Sequence, residues 1–370
     1  MKILFIINAL EHGGAARVLS ILSNELASRG HSVFILADIL HQKVNYNINS
    51  NVTVIPRIKK KYNKFTKHIQ RLFVFSNMRK EIKNIKSDVI IGFMPKNYFW
   101  AKVLSLGLAT PVIASERLDY NTNSDFFEYF IRNYIYRFAD TVTFNTQRDI
   151  DFLGKKLPNK ILMYNPVEYP ILEKTTIRKK NVLAAGRLDG WHHKGFDSLI
   201  FVWSRIAKKY PEWKLEIAGG GNNESLTFLQ DLVLKYEIKE QVNFLGFRTD
   251  MDILFQTSSV FVLSSRYEGS PNVLLEAMSQ GCACIGFELD GRIKEFITSP
   301  EVGILVENQN YTELEKTISR LIEDESLRES LSEGAKKEVK RFSKDKITDN
   351  WEALFNKVTK TNLSGASYAG

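Results

Sequence analysis

The feature that most constrains the fold is a repeated alternation of short, continuous apolar runs with amphipathic segments. KILFIINAL (2–10), HSVFILAD (31–38), DVIIGFM (88–94), PVIASE (111–116) and TVTFNT (141–146) form one series of such runs. A strand that is apolar on both faces must be covered on both faces. Helices between successive strands provide that cover in a parallel sheet. VLSILSNELASRG (18–30) has the helical spacing and terminal glycine of a first crossover, with EHGGAAR (11–17) as the turn before it. KILFIINAL carries one lysine, a short apolar core and no A-x-A pattern before Glu11, so it reads as a strand and not as a signal peptide.

Pro166, Pro170 and the charged EKTTIRKK (173–180) break the rhythm, and a second series begins. Its runs are NVLAAG (181–186), KLEIAGG (214–220), VNFLG (242–246), VFVLSS (260–265), CACIGF (282–287) and GILVEN (303–308). At 370 residues the chain exceeds what one hydrophobic core usually supports. The expected architecture is α/β, with two doubly wound domains over 1–168 and 169–344 facing across a cleft. A C-terminal helix over about 345–370 carries Trp351, Leu354 and Phe355 as a stripe able to pack back on the first domain. Ligands of such sheets bind beyond the carboxyl ends of the strands, so the strand ends are where a site is sought.

Charge narrows the partners. The net charge is +9, yet the segment from Arg57 to Lys86 alone holds eleven Lys/Arg against the single acid Glu81, leaving the remainder near neutral. A basic segment on a neutral body points to an anionic partner, whether nucleic acid, an acidic membrane surface or a phosphorylated substrate. No recognition motif for nucleic acid accompanies the charge. No apolar run reaches the length of about 18 residues that a membrane-spanning helix needs. The two cysteines, Cys282 and Cys284, lie on one face of a single strand, too far apart along it to bridge easily, which fits a reducing compartment.

Four stretches could carry chemistry. In GGAAR (13–17), glycines at a strand-to-helix turn let backbone N–H groups approach an anion, or simply turn the chain; the spacing is neither G-x-G-x-x-G nor a P-loop. In AGRLDGWHHKG (185–195), Arg187 directly follows a strand and Lys194 comes seven residues later. Two cations at the open end of a sheet suit a diphosphate. In RYEGSPNVLLEAM (266–278), Ser270 and Pro271 have the character of an N-cap and first helical residue, which puts Glu268 before the helix and Glu276 about two turns inside it. A carboxylate among Val273, Leu274, Leu275, Ala277 and Met278 costs several kcal/mol if buried alone, on the order of a marginal domain's stability. Sugar or ribose hydroxyls would satisfy both carboxylates. Their stagger along one helix argues against the facing acid and nucleophile of a glycosidase. TDMD (249–252) is read as Asp250 capping a helix and not as a metal motif.

G-R, K-G, F-L-G and E-G-S-P-N-V-L-L-E-A, in that order, resemble the series found in glycosyltransferase family four, retaining enzymes of the GT-B fold built from two Rossmann-like domains. The resemblance covers nearly the whole chain and is strongest over 182–308, where two glutamates enclose seven residues. It implies a nucleotide-sugar donor, with Arg187 and Lys194 on the diphosphate and Glu268 on the donor-sugar hydroxyls. Gly246, Phe247 and Arg248 would border the base. Pro271, Asn272 and Val273 would surround the sugar and distal phosphate, Glu276 would accept from the ribose, and Gly13 and Gly14 would close over the donor. Neither a metal nor another cofactor is expected, since fixed cations can stabilise the leaving group.

Two departures stand out. Ala16 occupies a place where the family often has Glu, and the strand PVIASER ends in Arg117 where many members have His. Arg117 and His12 are therefore the acceptor-side candidates. The expected reaction moves a hexose or N-acetylhexosamine from a nucleotide sugar, UDP favoured over GDP, to a growing glycan. Its acceptor would be a polyprenyl-diphosphate-linked oligosaccharide or a lipopolysaccharide precursor. Residues 57–86, where cations mix with Phe65, Leu72, Phe73, Val74 and Phe75, suit peripheral attachment to the anionic cytoplasmic face of the plasma membrane. The alternatives are a sugar-nucleotide epimerase of the same fold, or a non-catalytic membrane-binding protein on this scaffold.

Overall fold

The computed structural model describes residues 1–10, 13–37, 46–56, 67–117, 125–153, 156–173 and 176–366, with the backbone alone over 67–74 and 361–366. The chain divides into two compact units, one of residues 1–166 with 344–370 and one of residues 167–343.

The first unit is built on β1 (Lys2–Ile6), β2 (Ser32–Ala37), β3 (Val52–Pro56), β4 (Val89–Phe93), β5 (Val112–Ser115), β6 (Thr141–Phe144) and β7 (Lys160–Leu162). They form one sheet in the order β3-β2-β1-β4-β5-β6-β7, and every pairing is parallel. Side chains alternate along β1. Ile3 and Phe5 enter the core under helix α1 (Gly14–Ser28), while Leu4 and Ile6 enter the core under α2 (Lys67–Ile85) and α3 (Pro95–Leu104). Both faces are thus covered, as the unbroken apolar runs require.

Three expectations are corrected here. Helix α1 begins at Gly14 and not at Val18, because Ala15 and Ala16 already favour helix after the Gly13 cap. The edge strands β3 and β7 were not anticipated. Their residues are mostly half-exposed, so VTVIP and KIL lack the continuous apolar run of a central strand. Phe75 does not face outward on a basic helix; it packs with Met78, Ile82 and Ile85 against the sheet, leaving Lys80, Lys83 and Lys86 exposed. A sheet face left bare would expose far more apolar surface than one helix can hide elsewhere. Phe65 lies outside the described residues, as do the side chains of Leu72, Phe73 and Val74.

The last helix, Lys344–Ala366, returns to this unit. Trp351, Leu354 and Phe355 are buried in the same core as α1. Arg29 clasps the helix from the side, with Nη1 donating to Asp349 Oδ1 (2.6 Å) and Glu352 Oε2 (2.8 Å).

The second unit carries β8 (Lys179–Ala185), β9 (Lys214–Ala218), β10 (Val242–Gly246), β11 (Ser258–Leu263), β12 (Ala283–Phe287) and β13 (Ile304–Val306). Their order is β10-β9-β8-β11-β12-β13, again all parallel. The strand order reverses between β8 and β11, so the crevice beyond their carboxyl ends is the switch point where such a sheet accepts a ligand. In the first unit the corresponding reversal lies between β1 and β4. Among the described residues no helix is long and apolar enough to cross a membrane.

Candidate active site

The switch point of the second unit brings together residues far apart in sequence. Arg187 leaves the end of β8 exposed, and Lys194 follows on the short helix Trp191–Lys194. Glu268 lies in the loop after β11. Lys194 Nζ donates to Glu268 Oε1 at 2.7 Å, and Ser265 Oγ donates to the same oxygen at 2.6 Å. The carboxylate is buried to 9% exposure, so its charge is held by a neighbouring cation and a hydroxyl and not by water.

Two glycines allow this approach. A Cβ on Gly186 would lie 3.1 Å from three methylenes of Lys194, which runs directly across it. Gly195 has φ +66° and a Cβ there would meet the Ser264 carbonyl oxygen at 2.0 Å. Only glycine fits both the left-handed backbone and that contact.

Arg266 fastens the two loops. It binds Asp197 through a two-pronged pair (Nη1 to Oδ1, 2.8 Å; Nη2 to Oδ2, 2.9 Å), and its backbone N–H donates to the His193 carbonyl at 2.9 Å. Ser264 Oγ donates to the Lys194 carbonyl at 2.8 Å. The segment bearing Lys194 and the segment bearing Glu268 therefore form one stiff piece. Ser265 and Arg266 were not singled out from the sequence. Ser265 lies three residues before Glu268 and could have been suspected, but Asp197 and Arg266 are 69 positions apart and nothing local announces their pairing.

The His193 imidazole is held below its usual range. Burial is the main cause, and the Lys194, Arg187 and His192 charges add to it while Glu268 opposes them. His193 also packs against the Tyr267 ring, with centroids 5.8 Å apart.

Residues after Glu268 lead into the helix Asn272–Ser279, whose cap position is taken by Pro271. The expected Ser270 cap is not made, and the Asn272 N–H donates to the Ser270 carbonyl (2.9 Å). Glu276 is buried on this helix with Leu274, Leu275, Ala277 and Met278 around it.

The end of β10 joins the same crevice through backbone hydrogen bonds. Gly219 N–H donates to the Gly246 carbonyl (2.9 Å), and Leu188 N–H donates to the Gly220 carbonyl (2.8 Å). Phe247 stands beside Gly220 with 70% of its surface exposed, a bare ring on which a base could stack. Arg248 is instead committed to Asp250, with Nε to Oδ1 at 2.8 Å and Nη2 to Oδ2 at 2.6 Å. That pairing also corrects the expectation for Asp250. It occupies the cap position of the helix Met251–Thr257, but its side chain serves Arg248 and makes no cap hydrogen bond. Among the described residues no three His, Cys, Asp or Glu side chains gather as a metal would require.

In the first unit Gly13 stands at the cap of α1, where its N–H donates to the Tyr46 hydroxyl at 3.2 Å, and Gly14 opens the helix exposed. His12 lies outside the described residues. Arg117, the acceptor-side candidate, is turned inward. Its Nε donates to Ser115 Oγ (2.8 Å), its Nη1 to Asn165 Oδ1 (2.6 Å), and its guanidinium lies over the Phe93 and Trp351 rings. Burial lowers its pKa to about 9, against the pull of Glu116, so it remains a cation at neutral pH. Of its guanidinium nitrogens, Nη2 is buried with no hydrogen-bond partner among the described residues. Glu116 is equally committed: it receives Arg132 Nε at 2.8 Å and the Tyr136 hydroxyl at 2.9 Å.

Comparison with known proteins adds a family to this geometry. Residues 12–167 match the family model described as Glycosyltransferase Family 4, and residues 171–338 match that of Glycosyl transferases group 1. A Campylobacter jejuni alpha-1,4-N-acetyl-D-galactosaminyltransferase, whose name specifies a diNAcBac-PP-undecaprenol-linked acceptor, is 28% identical over 369 residues, 97% of this chain and 99% of that one. Sucrose-phosphate synthase from Thermosynechococcus elongatus superposes with a TM-score of 0.81 at 18% identity, covering 97% of this chain and 99% of that one. Anabaena HepE in complex with UDP and glucose gives 0.78 at 18% identity, with 96% and 100% covered. The two structures share the GT-B fold of paired Rossmann-like units.

Proposed function

The chain belongs to the glycosyltransferases of family 4 and group 1, and from that premise we propose that it transfers a hexose or N-acetylhexosamine, with retention, from a UDP-sugar to a polyprenyl-diphosphate-linked or similar lipid-held glycan. The observation that carries this reading is the Lys194–Glu268 contact at the β8/β11 switch point. The two side chains neutralise one another across this contact. A nucleotide sugar would replace both halves of that pair, its diphosphate taking Lys194 and Arg187 and its sugar hydroxyls taking Glu268.

Transfer then breaks the bond between the anomeric carbon and the phosphate oxygen and forms one to the acceptor oxygen. The acceptor proton passes to the departing phosphate oxygen. Negative charge grows on the diphosphate as it leaves, and fixed cations aimed there lower the barrier. They serve the purpose a divalent ion otherwise would, so we read the transfer as metal-independent. Retention follows if the acceptor attacks from the face the diphosphate vacates. Glu268 orients the sugar and is not a covalent nucleophile.

UDP is favoured because a UDP complex of a protein with this fold exists. The lipid-linked acceptor is favoured by the name of the Campylobacter relative. The cation-rich segment 57–86 supports attachment to an anionic cytoplasmic membrane face. Calorimetric titration of UDP, GDP and ADP in EDTA against wild type and Glu276→Ala tests the core of the proposal. One nucleotide is expected to bind, and the substitution to weaken it about tenfold, the scale of a lost charge-assisted hydrogen bond. If none binds a folded protein, the donor reading fails.

A further inference from the structure

The two histidines of WHHKG (191–195) have different neighbours in the fold. His192 meets Trp191 edge to face, with centroids 5.7 Å apart, and Trp191 in turn stacks on Phe228 at 4.3 Å. His193 sets its ring against Tyr267, the residue before Glu268. Lys194, the next residue, reaches Glu268 itself. One turn of helix therefore lays an imidazole and an ammonium on two consecutive residues of the loop after β11. Arg266 keeps that turn from drifting off the loop. Its backbone N–H donates to the His193 carbonyl and its Nη1 to the His192 carbonyl, while Asp197 and Ser198, at the start of the following helix, fix the guanidinium.

The charges that act on the His193 imidazole come from each neighbouring piece. Arg187 stands exposed at the end of β8, His192 and Lys194 flank the histidine on its own turn, and Glu268 lies in the facing loop. The Asp197 carboxylate is already bound to Arg266 on both oxygens. Burial disfavours the charged ring, the neighbouring cations add to that effect, and Glu268 alone opposes them. The cationic part of this balance is one that a ligand can reverse. A diphosphate held by Lys194 and Arg187 places negative charge on the same groups that repel a proton from the imidazole, and a nearby opposite charge favours the charged form.

We propose that His193 is a further donor-binding residue: uncharged in the empty site, it takes up one proton as the diphosphate enters and becomes a third cation beside Arg187 and Lys194. The inference rests on the proposed donor site and states how that site handles protons. One proton passes from solvent to an imidazole nitrogen on binding and returns to solvent when the nucleoside diphosphate leaves. While the diphosphate departs from the sugar, the imidazolium adds to the fixed positive charge facing it. The sign of the pH dependence follows. The bound state holds more protons than the free state, so affinity rises as pH falls through the imidazole range.

The test is calorimetric titration of UDP into the full chain and into His193→Gln, between about pH 6 and pH 8, in two buffers of different ionisation enthalpy. His193→Asn serves as a second neutral replacement, and the thermal transition of each sample shows that it is folded. The terminal phosphate of UDP itself titrates near about pH 6, but equally against every protein, so the difference between them belongs to His193. Wild type is expected to take up a fraction of a proton that the variants do not. The ratio of variant to wild-type dissociation constants should grow about threefold from pH 8 to pH 6, the linkage of a rise of about one pH unit in the imidazole midpoint. NMR of the wild-type imidazoles, assigned by the signal that the variants lack, should show that midpoint rising when UDP is added. Equal proton uptake by wild type and variants, or a His193 midpoint that UDP leaves in place or lowers, overturns the proposal while the donor site stands. UDP binding to none of the folded proteins overturns the donor reading, and this inference with it.

Discussion

At the scale of single residues, the site is a set of charges whose burial decides what they can do. Glu268 shares one oxygen between Lys194 and Ser265, and His193 sits against the same group of charges. Because Glu268 is what raises the His193 pKa, Glu268→Gln is expected to push the His193 midpoint lower still, and NMR titration of the imidazole checks it. The sign for stability follows. A histidine whose folded pKa lies below its unfolded value of about 6.5 contributes fully above that pH, and its contribution is lost as pH falls through the imidazole range. Lys194→Ala should cost about 10²–10³ in kcat at saturating donor, as for other preorganised charge stabilisers; turnover within a few fold of wild type would remove its assigned role. In the first unit, Glu116→Gln leaves Arg132 buried without its counter-ion. A loss of about 3–5 kcal/mol in urea unfolding is expected, with a smaller loss when both are replaced by methionine. The charges of Arg187, Lys194, Glu268 and Glu276 were visible in the sequence because polar residues at strand ends or in apolar runs stand out. The inward turn of Arg117 was not, since a strand end reads alike whether its last side chain points to solvent or beneath a helix.

At the scale of elements, central strands were legible and edges were not. NVLAAG and VFVLSS became β8 and β11 because both of their faces are buried and so both must be apolar. The edge strands β3 and β7, with one side unpaired, carry no such pattern. The segment 126–138 shows a different limit. Six of its aromatics are exposed, although the spacing of the sequence singles none of them out. The C-terminal helix is held to α1 by Trp351 and by the Arg29 clasp. Trp351→Ala should lower stability by about 3–5 kcal/mol, measured by chemical denaturation.

At the scale of the whole molecule, the chain starts and finishes in the same unit, with 167–343 inserted between. Removing residues 344–370 is therefore expected to weaken the first unit and not the second. Hydrogen exchange should quicken in β1 and α1 while β8 and β11 keep their protection; uniform loosening of both sheets would contradict this division. The sequence by itself determined the fold class, the two series of strands and the chemical types of the site residues, because apolar periodicity and glycine placement are local properties of a chain. The tertiary structure alone decided which strands neighbour each other, that Lys194 meets Glu268 over a glycine, that Arg266 ties their loops together, and which aromatic rings face outward. These are contacts between residues tens of positions apart. Their energies depend on burial and on distance in space, and neither is written in the spacing of residues along the chain.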